Sequence, residues 1–226
     1  MSKILGTIHY LMYEKIKYQD EITKYLLEGR EEFEKLNEIM PPVSTDSLEK
    51  LVDPQNIHGW LSARIDIVES RFAYAINTVA DAEEKIYEFG IKESLNKKFN
   101  SAKELYGEIN KRLLDGMPCD RALLVSEDED GNLYLEQKIN LHKEYEESPL
   151  FKEPSLSLIK NCNKNDPKHN EKFEIEDFET LKKDEPYDAS LFYICRFQFL
   201  KGFLKDSGYL VKMINDTDFK LEKITN

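Results

Sequence analysis

The chain has 226 residues, of which 40% are hydrophobic, 11% aromatic and 34% charged, with a formal net charge of -12. That is enough apolar material for a real core, in one large domain or two small ones, and it excludes a wholly disordered chain. An acidic chain repels phosphate backbones, and with no long Lys/Arg run the expectation is no nucleic-acid binding.

The first predicted element is a long amphipathic helix. Leu5, Ile8, Met12, Ile16, Ile22 and Leu26 recur at spacings of three and four or their multiples, on one face of a 3.6-residue period. Its apolar start is interrupted by His9 and ended by Glu14, with no small-residue cleavage site, so it reads as helix and not as a signal peptide. Ser2 at the second position excludes N-myristoylation. No apolar stretch approaches the roughly 20 residues that span a bilayer. The expectation is a soluble, cytoplasmic protein without a membrane partner.

Gly29 breaks this helix, and a short second one carries Phe33, Leu36 and Met40 before Pro41-Pro42 stops it. Ser44-Thr45-Asp46-Ser47 offers N-caps for a turn of helix through Leu51. Asp53-Pro54 reads as an N-cap followed by proline at the first helical position. From there Ile57, Leu61, Ile65, Val68, Phe72, Ile76, Val79 and Ile86 form a regular stripe, broken only near Glu83, with Gly90 as its C-terminal cap. A third helix carries Ile91, Leu95, Phe99, Ala102, Tyr106, Ile109 and Leu113 until Gly116 and Pro118 end it. Such stripes must be hidden, so these helices are expected to pack near-antiparallel.

After Pro118 the pattern changes. Ala122 to Ser126 and Leu133 to Leu135 flank an acidic, Gly-containing turn and predict a β-hairpin. Ser148 to His169 reads as loop, and Phe178 and Leu181 suggest a short helix. Asp188 is placed to cap a helix from Ala189 to about Lys205, apolar on nearly all sides and therefore buried. Tyr209 to Met213 and Phe219 to Ile224 predict a second hairpin. An isolated hairpin is marginal in water. The two are thus expected to join one small sheet or to lean on the last helix. The fold class is mainly α: an antiparallel helical bundle over residues 1–118, and a mixed segment over 119–226 that adds a buried helix and short β-hairpins and packs on the bundle as one unit.

A weak internal repeat relates Ile8-His9-x-Leu11-Met12-x-x-x-Ile16 to Ile57-His58-x-Trp60-Leu61-x-x-x-Ile65, 49 residues apart. Acidic residues, Asp20 and Glu69, follow each histidine by eleven. Any two amphipathic helices share such a stripe; a duplicated helical pair with related histidines is the sharper alternative.

The four histidines are the most informative side chains. His9 and His58 sit at the edge of an apolar stripe, His142 follows the first hairpin, and His169 lies in a polar stretch. His9, His58 and His142, from separate elements, are the candidate ligands of a divalent metal, with Glu69 and Asp20 as further ligands or base. Boundary histidines bonded to a neighbour are the plainer account. HExxH and paired Glu-x-x-His motifs are absent, which argues against zincins and ferritin-like di-iron sites. Asp128-x-Asp130-Gly131 matches the middle of a calcium loop, but the twelfth position is Gln137. Carboxylates three apart, such as Glu31 and Glu34, hold magnesium in helical pyrophosphatases. Among 44 acidic residues they are expected by coincidence. Cys119, Cys162 and Cys195 form no CxxC pair, and their low odd number fits a reducing compartment. Cys119 with His142 as base is the one nucleophile pairing the order of residues offers. Arg196, in the apolar last helix, demands an acidic partner. Glycine-rich phosphate motifs and the GxSxG elbow are missing.

The leading functional expectation is a cytoplasmic helical binding or regulatory module that acts through protein contacts. The alternative is a metal-binding protein or metal-dependent enzyme using His9, His58 and His142. Small-ligand binding near aromatics such as Trp60 and Tyr74 is a third. Substrate, partner and oligomeric state are not specified by the sequence.

Overall fold

The computed structural model describes residues 5–147 and 189–224. The loop, the Phe178/Leu181 helix, the Asp188 cap, Cys162 and His169 lie outside the described residues. The fold is mainly α: eight α-helices with a four-stranded antiparallel sheet among the described residues.

Helix α1 (Thr7–Leu27) buries Met12, Ile16, Ile22 and Leu26, the predicted stripe. It ends at Gly29, whose φ of +73° suits a residue without a Cβ. Helix α2 (Glu31–Ile39) opens with Glu31, Glu32 and Glu34, which favour the positive end of its dipole. It stops before the proline pair. The single turn α3 (Leu48–Leu51) follows. At Asp53-Pro54 the Asp53 carboxylate accepts the Gln55 N–H at 2.9 Å, capping a 3-10 turn over Pro54–Asn56. That turn leads into α4 (Ile57–Thr78), where Ile65, Val68 and Phe72 are buried.

The stripe that continues to Ile86 does not belong to one helix. The chain turns at 79–81 and restarts as α5 (Ala82–Glu93). The break has a local cause. Thr78 and Val79 are β-branched, and the Asn77 side chain donates to the Ala73 carbonyl, competing for the helical ladder. Nor is Gly90 a cap. It lies inside α5, where a Cβ would strike the Phe199 carbonyl and the Phe203 amide. The predicted third helix is likewise shorter: α6 is Ala102–Ile109. Residues 94–101 are non-helical because their polar side chains satisfy the backbone. Ser101 accepts the Glu104 N–H and Glu104 accepts the Asn100 N–H, a reciprocal cap.

The bundle contains both senses of packing. Helix α5 runs back against α1: Arg30 pairs with Asp81 at one end, and Tyr25 and Tyr18 meet Phe89 toward the other. Helices α1 and α4 run in the same direction. His9 meets His58, Tyr13 meets Trp60 and Asp20 meets Arg71. The intervening α2 and α3 carry the chain back to the starting end, which makes that parallel pairing reachable.

Strands β1 (Leu123–Glu127) and β2 (Leu133–Gln137) form the first hairpin, β3 (Tyr209–Met213) and β4 (Phe219–Lys223) the second. They join in the order β1-β2-β4-β3. The register pairs Val125 with Leu135, Leu135 with Phe219 and Phe219 with Met213. Leu133, Leu135, Tyr209, Val211, Phe219 and Leu221 are buried on one face. Lys212, Lys220 and Glu222 occupy the other, the alternation of a one-sided sheet. In sequence the short α7 (Lys143–Glu146) follows the first hairpin and packs on α4, and the apolar α8 (Leu191–Phe203) lies between α5 and β3. Phe197 of α8 stacks on Phe219, with ring centroids 6.4 Å apart. The main core therefore draws on α1, α4, α5, α6, α8 and the sheet together.

Candidate functional site

Two apolar clusters fill the interior. The smaller holds Met12, Tyr13, Ile16, Leu48, Leu61 and Val68; the larger begins on the same helices at Ile22 and Phe72. Between them, at one level, the two helices bury polar side chains: Gln19 and Asp20 on α1, Glu69 and Arg71 on α4. Buried charges persist only when paired and hydrogen-bonded. The pairing organises two sites.

At the first, His142 stands at the start of α7 with both ring nitrogens engaged. Nδ1 lies 3.0 Å from Glu69 Oε2, and Nε2 lies 3.4 Å from Asp115 Oδ1. Arg196 of α8 donates to the same Asp115 oxygen at 2.7 Å and to the Leu114 carbonyl at 3.0 Å. The imidazole stacks on Phe192 with centroids 3.6 Å apart. Asn140 accepts the His142 N–H and the Tyr193 hydroxyl through its side-chain oxygen. Burial pulls His142 toward the neutral form, but the carboxylates of Glu69 and Asp115 outweigh it and hold the pKa above its usual value. Burial also pushes Asp115 up, and Arg196 and His142 together outweigh it, leaving the carboxyl well below the usual range. Two carboxylates thus face a guanidinium and an imidazole, and Arg196 Nη2 also lies 3.3 Å from His142 Nε2. One oxygen is left over. Glu69 Oε1 is buried without a hydrogen-bond partner in the structure.

At the second, Arg71 Nε donates to Asp20 Oδ1 at 2.6 Å and Nη2 to Asn37 Oδ1 at 3.0 Å, while Nη1 donates to the Met40 carbonyl. The other Asp20 oxygen accepts the Val43 N–H at 2.8 Å. One ion pair therefore pins the segment after α2 to α1 and α4. It forms the floor of a groove of about 710 Å³ lined by Tyr18, Tyr25, Phe33 and Phe89.

The candidate metal ligands do not converge. His9 and His58 lie edge to face with centroids 5.3 Å apart, and His9 Nδ1 accepts the Gly6 N–H. His142 bonds instead to Glu69, eleven residues and roughly 16 Å along α4 from His58. Asp20 serves Arg71 and Glu69 serves His142, so neither acid faces the histidine pair. Among the described residues no group of three or more His, Cys, Asp or Glu is placed to hold a metal ion. Cys119 is exposed, its thiol 3.7 Å from Asp120 Oδ1, while His142 is occupied elsewhere. Asp128 organises the β1–β2 turn. It accepts the Asn132 amide, both backbone and side chain, and the Tyr134 hydroxyl. Those bonds, the Asn132 side chain first, draw its pKa down to about 2.

Arg196 has the acidic partner its position demands. Asp115 and Arg71 were not singled out from the sequence. The available signal for Arg71 is its place in the otherwise apolar Phe72-Ala73-Tyr74-Ala75-Ile76 neighbourhood, where a charge requires a partner.

No protein-family model matches the chain, and neither the curated proteins nor the solved structures give a match. No helix among the described residues is long and apolar enough to cross a membrane.

Proposed function

We propose that the protein is a binding module that takes a segment of a partner polypeptide in the groove along α1. The observation that carries this reading is the shape of the groove. Its α1 wall runs from Glu14 to Glu28, about 21 Å at 1.5 Å per residue. A compact metabolite does not need that length, whereas roughly six residues of extended chain fill it. Its walls carry the half-buried aromatics Tyr18, Tyr25 and Phe33, the side-chain type that anchors protein interfaces. Along the α1 rim the charges alternate as Glu14, Lys17, Glu21, Lys24 and Glu28. Such a rim selects a partner segment of complementary alternating charge rather than a single-signed one. The metal reading has no three-ligand donor set behind it among the described residues.

The test is a random peptide library selected against the full chain, with a Tyr25→Ala/Phe33→Ala variant used for counter-selection. Peptides enriched on the unaltered protein are expected to bind about tenfold or more weakly to the variant by calorimetry. A urea denaturation curve confirms that the variant is folded. A library that yields no binder, or binders indifferent to Tyr25 and Phe33, rejects the groove as the binding surface.

A further inference from the structure

Strand β1 is one edge of the sheet, and among the described residues no strand lies on its outer side. Its hydrogen-bonding parity follows from its two ends. The Ala122 carbonyl accepts the Lys138 N–H, and the Asp128 N–H donates to the Asn132 carbonyl. Antiparallel alternation therefore turns the even residues toward β2 and the odd ones, Leu123, Val125 and Glu127, outward. An edge left open in this way is normally guarded by a lysine, a proline or a bulge. The opposite edge, β3, carries Lys212, whereas β1 reads Leu-Leu-Val-Ser-Glu in unbroken register with β2. Leu124 is 47% exposed on the solvent face, and Leu123 and Val125 pack only partly against the main core. The apolar surface runs on to Ile8, 46% exposed, which lines a cavity with Leu123. Arg121 and Glu127, at the two ends of this edge, are exposed and make no hydrogen bond or ion pair among the described residues.

We infer that β1 pairs antiparallel with β1 of a second copy of the chain, about a two-fold axis at Leu124. The edge is complementary to itself in one register. With Leu124 opposite its own copy, Leu123 faces Val125 and Arg121 faces Glu127, and symmetry repeats both pairs. Leu123 and Val125 then exchange the backbone bonds, as their outward parity requires. The two Leu124 side chains meet at a non-hydrogen-bonded pair, where side chains approach most closely. The half-buried rows join on one face, and the exposed leucines cover each other on the other. Sliding by one step of the same parity sets a charge against an apolar side chain, Glu127 on Leu123 in one direction and Arg121 on Val125 in the other. A foreign strand would need the same pattern, an apolar centre with acid and base at opposite ends, and this chain carries that pattern itself. Such an isologous contact closes at two copies. The net charge of -12 on each copy opposes it, but at physiological salt that repulsion is screened beyond about 8 Å, while Arg121 and Glu127 are close. No residue of β1 lines the α1 groove, so the groove stays open in both copies and the two readings fail independently.

The experiment is sedimentation velocity of the full chain at about 0.15 M salt over roughly 5–500 µM protein. A reversible monomer–dimer equilibrium with a Kd of about 100 µM or tighter is expected, since a contact of this size is a weak one. Val125→Pro removes an outward N–H that the ladder to β2 does not use. It is expected to leave the fold intact and to weaken the dimer about tenfold or more. Arg121→Glu and Glu127→Arg each place like charges opposite one another and are each expected to weaken it about tenfold. The double variant Arg121→Glu/Glu127→Arg is expected to restore it. Both charged side chains are exposed, so this cycle decides the matter should Val125→Pro fail to fold. Protein that stays monomeric across the range overturns the inference, as does assembly beyond a dimer. So does a dimer indifferent to folded Val125→Pro or to the single charge reversals, or a double variant no tighter than the singles.

Discussion

Asp115 holds two cations at once, accepting from Arg196 at 2.7 Å and lying 3.4 Å from His142. Its side chain is only 8% exposed, so little water is present to replace it. Asp115→Asn keeps the shape but leaves two buried positive charges with one carboxylate. The expected loss is about 3–5 kcal/mol in urea unfolding. An Asp115→Leu/Arg196→Met pair, which removes charge from both sides, is expected to recover much of it. A single variant as stable as the unaltered protein would show that the cluster is solvated and not buried. The same quartet sets a pH dependence. His142 titrates near 6.5 when unfolded and higher when folded. Its contribution is therefore fully present below about 6.5 and is lost as pH rises through the raised folded value. Asp115 has the opposite sign. Its contribution is present above the unfolded value of 3.8 and is lost only as pH falls toward its depressed folded value. Stability measured by urea unfolding is expected to decline on the alkaline side, and that decline is expected to vanish in His142→Gln. The sequence carried half of this cluster. A charge at Arg196 inside an apolar helix announces that an acid is near, but not that the acid is Asp115, 81 residues away. His142 reads as a metal ligand in the sequence because it is one of three histidines on separate elements. The fold gives both of its ring nitrogens partners.

At the level of elements, the packing of α5 on α8 depends on two glycines that face each other. A Cβ on Gly202 would strike the Tyr87 carbonyl and lie 2.8 Å from the Ile91 amide nitrogen. The obstacles are backbone atoms of a neighbouring helix, which cannot rotate away. Gly90→Ala or Gly202→Ala must push the helices apart, and a loss of about 1–3 kcal/mol or more is expected. Gly107 provides the contrast. It sits in α6 with nothing within 4 Å of its missing Cβ, so Gly107→Ala is expected to stabilise by about 0.5–1 kcal/mol. Thermal and urea unfolding of the three variants check both signs. Equal effects at all three positions would mean that helix propensity, not close approach, decides. The same elements show where periodicity fails as a guide. A glycine at the end of an apolar stripe reads as a cap, and only the opposing helix reveals that Gly90 is a contact. The stripe from Ile57 to Ile86 keeps its period except near Glu83, although the chain folds back at 79–81, because both pieces face one core. The hairpins were more legible. Alternation around a turn specifies them locally, and neither can stand alone, which is why they share a sheet.

Across the whole molecule the 49-residue likeness between the two helix starts has a physical counterpart. Matching stripes on α1 and α4 let the helices lie side by side in the same sense, with His9 against His58 and Asp20 against Arg71. Because the helices are in register, their polar residues fall at one level and form a belt. Below the belt is the small cluster of Met12, Tyr13, Ile16, Leu61 and Val68, above it the larger core built with α5, α8 and the sheet. Apolar contact across a charged layer is poor, so the two clusters are coupled mainly through the ion pairs and the helix backbones themselves. The small cluster draws its buried members from the first half of α1, Leu48 of α3, Val52, the first half of α4 and Leu114, and it holds fewer apolar side chains than the larger core. It is expected to open first. In native-state hydrogen exchange the Ile16 and Leu61 amides should exchange through a sub-global opening of lower free energy than those of Phe89 and Leu200. Asp20→Asn, which weakens the belt at Arg71, should lower that opening further while moving the protection of α5 and α8 less. If all four amides report one opening free energy in both proteins, the belt is no boundary and the interior unfolds as a single unit.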